Sequence, residues 1–148
     1  MEEFFHGQLK AHGIVKNRGG EVIRYFNADI CARWGPEGQG TLEELFIFDD
    51  GEHQTRTWVL TPAGAGRYKA HANDVVGTSV ATVAGNALAM NYVLKVPYRK
   101  WVLDVGVLDR MYLVNPTTII NESTLRKWGF TVGSVVLTIQ RAGSAGTC

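Results

Sequence analysis

The stretch from Gly85 to Arg141 constrains the fold more than any other part of the chain: GNALAMNYVLKVPYRKWVLDVGVLDRMYLVNPTTIINESTLRKWGFTVGSVVLTIQR. It is a succession of strand-length runs rich in Val, Leu, Tyr and Trp, with Asp104, Asp109, Arg110 and Arg126 set inside them. A sheet with one dry and one wet face holds such residues outward. A barrel with an internal cavity holds some of them inward, at a binding site.

The rest of the chain reads the same way. Phe4–Lys16, Glu21–Trp34, Thr41–Phe48, His53–Thr61, Arg67–Ala72 and Val76–Ala84 are alternating runs, each closed by turn chemistry. Asp49-Asp50-Gly51 is the strongest hairpin signal among them. Ala87–Val96, Trp101–Val107, Met111–Val114, Thr117–Asn121 and Val132–Arg141 continue the series. Only Ser123–Trp128 reads as helix, one to two turns with Ser123 as N-cap and Gly129 just past the end. Roughly nine or ten short strands with tight connections predict an all-β fold, a single antiparallel meander. A meander of that size exposes two edges unless it closes. Glycines in or beside the runs (Gly7, Gly13, Gly77, Gly106, Gly133) supply bending points, which favours a β-barrel over a flat sandwich. The expected organisation is one barrel domain over residues 1–141 and a flexible tail, 142–148.

Composition narrows the function. The chain has 148 residues, 45% hydrophobic and 20% charged, with a net charge of +1. That fits one globular domain. No basic stripe interleaves with aromatics, so no nucleic-acid partner is expected. No run approaches a bilayer-spanning helix. Met1 leads into EEFFHGQ without a signal-peptide pattern, so the expected location is cytoplasmic as written, or the cell envelope if a signal segment has been removed. Cys31 and Cys148 are the only cysteines and read as two free thiols, one packed in a strand and one exposed in the tail AGSAGTC. His6, His12, His53 and His71 lack metal-site spacing; no metal and no cofactor are expected. No G-x-S-x-G, H-E-x-x-H or phosphate-loop signature is present.

Period-two geometry sorts the faces. Leu88, Met90 and Tyr92 share an inward face, as do Phe26, Ala28 and Ile30 on an earlier strand. Arg56 shares a face with Trp58, so it is either inside the barrel or snorkelling at its rim. A buried guanidinium needs a carboxylate, from the protein or from a ligand. Glu44 is the partner across the hairpin, in a register that loop length leaves open. Asp109 and Arg110 are adjacent and face opposite ways; Gly106 leaves the phase open, with Tyr112 on the side of Arg110. Asn121, Arg126 and Trp128 surround the expected helix, which would plug one barrel mouth.

The stretches GQLKAHGIVKNRGGEVIRYF, FDDGEHQTRTWVLTP, DVVGTSVATVAGNALAMNYVLKVP and LDRMYLVNPTTIINESTLRKWGFTVGSVVLTI resemble an uncharacterised bacterial family, a domain of unknown function described as lipocalin-like. The most specific elements are the DDG turn with Arg56 and Trp58, the AGNA turn before Tyr92, and the MYL…IIN…KWG series. The short Pro97–Trp101 connection departs from relatives, which carry a longer, Gly-containing turn. Relatives often begin with a lipoprotein signal and lipobox cysteine, and their genes often neighbour those for fatty-acid modification. The resemblance thus implies a lipocalin- or calycin-like barrel, a lipid-like ligand and a link to membranes or lipid metabolism. It implies no catalytic residues.

The expected function is therefore binding of a small apolar or amphipathic molecule, lipid- or fatty-acid-like, inside the barrel. Phe26, Trp58, Leu88, Met90 and Tyr92 would form the wall. Glu44, Arg56, Asp109, Arg110, Tyr112, Asn121 and Arg126 are the polar candidates, with Arg56 and either Arg110 or Tyr112 meeting a head group such as a carboxylate. Two alternatives remain open: a cofactor-free isomerase, cyclase or lyase, and a filled structural or interaction barrel.

Overall fold

The computed structural model describes residues 1–142 and Cys148. Ten strands make one sheet: β1 (Gly7–Asn17), β2 (Val22–Trp34), β3 (Gly40–Phe48), β4 (His53–Pro62), β5 (Arg67–Ala72), β6 (Ser79–Ala84), β7 (Ala87–Tyr98), β8 (Trp101–Asn115), β9 (Thr118–Lys127) and β10 (Phe130–Arg141). Each pairs antiparallel with its sequence neighbours, and β10 pairs with β1 from Leu9↔Arg141 to Asn17↔Gly133. Closure removes both edges that an open meander would leave unpaired.

Local chemistry sets the turns and the curvature. Gly51 takes φ 88° in the β3–β4 hairpin, where Phe48 N–H donates to the Glu52 carbonyl. That conformation suits glycine. Gly13 serves a different need: a Cβ there would lie 2.5 Å from Phe26 Cζ, so the missing side chain makes room for the Phe26 ring across β1–β2.

The two ends of the barrel differ. Around the first residues of β1, apolar side chains fill the interior: Leu9, Ile30, Leu42, Leu60, Ile119 and Ile139 are all buried. The segment before β1 closes this end, with Phe4 and Phe5 buried and the Phe5 carbonyl accepting from Trp34 Nε1 at 2.7 Å. Arg141 ties it down through hydrogen bonds to the Glu3 and His6 carbonyls. At the other end, the mouth, Phe46, Phe48, Leu94, Leu103 and Leu125 are only partly buried.

Four expectations need correction. Residues 123–127 are strand, not helix, and among the described residues there is no helix. β9 has partners on both sides, so extended backbone satisfies its polar groups, whereas a one-turn helix bears the full cost of nucleation. Trp128 and Gly129 form the β9–β10 turn; Trp128 is exposed and plugs nothing. The runs around Gly106 are one strand, β8, whose alternation passes through that glycine unbroken. Finally, Cys31 and Cys148 form a disulfide with Cα atoms 5.8 Å apart. Closure of the barrel explains it: Ala142 N–H donates to the Gln8 carbonyl, and Gln8 pairs with Cys31, so the chain leaves β10 beside β2. The flexible tail expected over residues 142–148 lies, but for Ala142 and Cys148, outside the described residues.

Candidate functional site

The interior polar groups sit between the filled end and the mouth. The DDG turn puts Glu44 of β3 directly opposite Arg56 of β4. Both point inward, since Arg56 alternates with the exposed Thr55 and Thr57. Asp74, from the β5–β6 connection, accepts from Arg56 Nε with its two carboxylate oxygens at 2.9 and 3.0 Å. Arg56 Nη1 lies 3.9 Å from Glu44 Oε1. That distance permits attraction but no hydrogen bond. Glu44 Oε1 is buried and has no hydrogen-bond partner. The Arg56 guanidinium also lies over the Phe46 ring, 5.2 Å from its centre.

A second group faces this one. Asp109 on β8 pairs with Met90 on β7 and Ser123 on β9. Its carboxylate accepts from Tyr92 Oη at 3.1 Å, from Ser123 Oγ at 3.1 Å and from Asn121 Nδ2 at 2.5 Å. Tyr92 packs edge-on against Trp58, with ring centres 5.1 Å apart, which joins the two groups.

Burial governs the protonation of this cluster. Glu44 is pushed up to about 7 by burial; Arg56 opposes the rise, while the Asp109 and Asp74 charges add to it. Burial also raises Asp109, against the hydrogen bonds from Asn121, Ser123 and Tyr92. The Tyr92 phenol is raised by burial and by the neighbouring Asp109 charge. For Arg56, burial disfavours the charge, but the Asp74 hydrogen bonds and the Glu44 charge outweigh it and hold the guanidinium protonated. Three carboxyl groups thus share one guanidinium in a region of low dielectric, where their mutual repulsion is strong.

Of the residues named from sequence, Phe26, Glu44, Arg56, Trp58, Met90, Tyr92, Asp109 and Asn121 lie inside at or near this level. Leu88 is also inside but one step deeper, opposite Met111 in the filled end. Arg110, Tyr112 and Arg126 face outward. Arg110 bonds to Asn91 Oδ1 on the outer surface, Tyr112 is exposed, and Arg126 donates to the Gly129 carbonyl. The unbroken alternation of β8 turns Arg110 and Tyr112 away, and the strand conformation of β9 does the same to Arg126. Sequence reasoning does not reach Ser123 or Phe46 as site residues, and reaches Asp74 only as an acid that counts if buried. Ser123 shares parity with Asn121 and would have been found had the segment been read as strand. Asp74 sits in a turn and carries no periodic signal.

Two grooves lie along the wall formed by β1–β4. One of about 370 Å³ runs along β1–β4 beside Cys148, and one of about 190 Å³ lies over Lys10, His12 and Asn27.

A family model described as a protein of unknown function, DUF3833, matches residues 1–141. The chain belongs to that family. The sequence matches no curated protein. Among solved structures, it is similar to an S-type phycobiliprotein lyase from Guillardia theta, with TM-score 0.69 and 13% identity over 97% of this chain and 93% of the lyase. It is similar to a protein of unknown function of the DUF3598 family from Nostoc punctiforme, with TM-score 0.66 and 17% identity. That match covers 93% of this chain but 47% of the Nostoc protein, so the chain spans about half its length. A third similar structure is EF1p2_mFAP2b bound to DFHBI, with TM-score 0.54 and 8% identity over 95% of each chain. At these identities the likeness shows a shared barrel fold. One of these barrels is named as a lyase and another is bound to DFHBI.

Proposed function

We propose that the protein binds a small amphipathic, lipid-like molecule in the mouth half of its barrel. The apolar body would lie against Phe26, Phe46, Phe48 and Leu94, and the polar end would reach the Glu44–Arg56–Tyr92–Asp109 cluster. One observation carries the reading: Glu44 Oε1 is buried beside a guanidinium already engaged by Asp74, and it has no hydrogen-bond partner. A buried acceptor left unpaired is costly, and a ligand O–H or N–H would relieve that cost. The same observation revises the head group expected from sequence. With Arg56 taken and carboxyl groups in excess, the cluster favours a donor or a cation over a carboxylate.

The test is organic extraction of freshly purified protein followed by mass spectrometry, then titration of tryptophan fluorescence. The ligands are a long-chain alcohol and amine, set against the methyl ether and carboxylate of the same chain. The alcohol and amine should bind more tightly, by roughly tenfold for one hydrogen bond to a charged group. Trp58, packed on Tyr92, is the intended reporter, so Trp58→Phe should remove most of the signal. Tightest binding by the carboxylate would reverse the head-group assignment. No co-purifying molecule and no saturable response would leave a filled barrel.

A second reading rests on the same carboxyl group. A buried Glu44 at about 7 is poised for proton transfer at neutral pH, beside a Tyr92–Asp109 pair. Conversion of the bound molecule on prolonged incubation, abolished by Glu44→Gln, would establish a cofactor-free acid–base enzyme.

A further inference from the structure

Three neighbouring hairpin tips at the mouth project large apolar side chains into solvent. Trp101 and Val102 follow the β7–β8 turn, and Trp128 and Phe130 flank the β9–β10 turn; Trp128 is 80% exposed and Trp101 71%. Val22 and Ile23, beside the β1–β2 turn, are exposed as well. The strands bearing these tips are contiguous, since Gly106 pairs with Arg126 and Asn17 with Gly133. Arg18, in the β1–β2 turn, lies 6.0 Å from the Phe130 ring centre and links two of the tips.

Cations are interleaved with these side chains: Lys95, Arg99, Lys100, Arg126 and Lys127. The carboxylates nearest these cations are Asp104, opposite Lys95, and Glu21 in the β1–β2 turn; none occurs between Thr124 and Arg141. The chain's net charge is only +1, so this basic character is local. On the far side of the β1–β2 tip from the other two, the β3–β4 turn carries Asp49, Asp50 and Glu52, and Arg24 of β2 pairs with Asp50 and Glu52. At the filled end, the turns Gly35–Gln39, Ala63–Gly66, Gly85–Asn86 and Pro116–Thr117 contain no aromatic residue.

The backbone adds an independent observation. Among the described residues, Arg99 and Trp128 are the two non-glycine residues with positive φ, 57° and 51°, and each sits at one of these tips. A bulky side chain is disfavoured in that conformation, which hairpins normally fill with Asn or Gly. Trp128 makes no core contact in return; its near neighbour is Lys127 Nζ, 5.3 Å from the ring centre. Strain kept where the fold gains nothing points to use of the exposed surface.

We propose that these three tips dock the barrel mouth on an anionic lipid surface. Trp and Phe side chains favour the headgroup boundary, and the cations between them are attracted to anionic lipid. The acidic β3–β4 turn beside the β1–β2 tip tilts the barrel so that the β7–β8 and β9–β10 tips make the closest contact. The docking stands on this surface alone. If the interior also binds a lipid-like molecule, docking would place the mouth where such a molecule enters and leaves.

The test is co-sedimentation of the full chain with vesicles of phosphatidylcholine alone and of phosphatidylcholine with phosphatidylglycerol, with tryptophan emission followed alongside. The protein should sediment with the anionic vesicles, with a blue shift, and release with added salt. Trp101→Ala/Trp128→Ala should lower the partition coefficient by about tenfold or more, since two large apolar side chains leave the interface. Both positions are exposed, so the variant should keep the wild-type circular dichroism spectrum. Absence of binding to either vesicle, or a double variant that sediments like wild type, would overturn the proposal. Equal binding to neutral vesicles would overturn its anionic part. Self-association that the double variant abolishes, without vesicle binding, would make a second copy of the chain the occupant instead.

Discussion

The filled end and the mouth half of the barrel are built from the same strands yet solve different problems. At the filled end Leu9, Leu42, Leu60 and Ile119 form an apolar core with Phe4. Half a strand higher, three carboxyl groups and one guanidinium replace the leucines, and the apolar residues above them are only half covered. Apolar burial stabilises without regard to pH. Buried charge stabilises only while each group is matched, and proteins seldom keep it for stability alone. The difference separates a part that holds the fold from a part available for binding.

The largest contrast should appear when each half loses one anchor. Leu9→Ala removes buried apolar volume and should cost about 2–5 kcal/mol, the same at pH 5 as at pH 8. Arg56→Met leaves Glu44, Asp74 and Asp109 without their cation and should cost about 3–5 kcal/mol at pH 8. That penalty should shrink at pH 5, because Glu44 is then protonated and no longer needs the guanidinium. Urea denaturation at the two pH values measures both. An Arg56→Met penalty independent of pH would mean that the upper cluster is held as the lower core is.

The two halves were also unequally legible in the sequence. Strand periodicity and turn residues exposed the barrel, because alternation and the DDG signal are local properties of the chain. Parity sends Tyr92 inward and puts Arg56 on the face of Trp58; Glu44 enters as its partner across the hairpin, and Asn121 only as a neighbour of the expected helix. The pairing of Arg56 with Asp74 was not legible, because it depends on how the β5–β6 connection folds back over β4. Ser123 was hidden by an N-cap pattern that two flanking strands override. The Cys31–Cys148 bridge was hidden for a similar reason: only closure of β1 on β10 brings the chain end beside β2.

The next effect in size isolates Glu44. Its folded value is raised from 4.5 to about 7, so the folded state holds a proton that the unfolded chain has released. Stability should therefore fall as pH rises from about 4.5 to 7, and stay low above that. A shift of that size corresponds to roughly 3 kcal/mol. Glu44→Gln should remove most of this slope and be the more stable protein at pH 8. A wild-type stability that rises over the same window would show that another group dominates the upper half. A ligand cation bound beside Glu44 should flatten the slope in the wild type alone.

The smallest effect concerns Ser123, whose hydroxyl donates to Asp109 at 3.1 Å beside the bonds from Asn121 and Tyr92. Ser123→Ala deletes one of three donors and little volume, so it should cost about 1–2 kcal/mol at pH 8. The lost bond favoured the ionised carboxylate, so Asp109, already raised by burial, should rise further. The sign follows: a carboxyl group raised in the folded state costs stability above its unfolded value, and the cost disappears as the folded group takes up its proton. The variant should thus approach wild type on acidification, whereas truncation of an apolar residue at the filled end should not. Folded-state titration of the Asp109 carboxyl by NMR checks the direction. An unchanged or lowered Asp109 would mean that Ser123 only fills space, and the boundary between the two halves would then lie above β9 rather than along it.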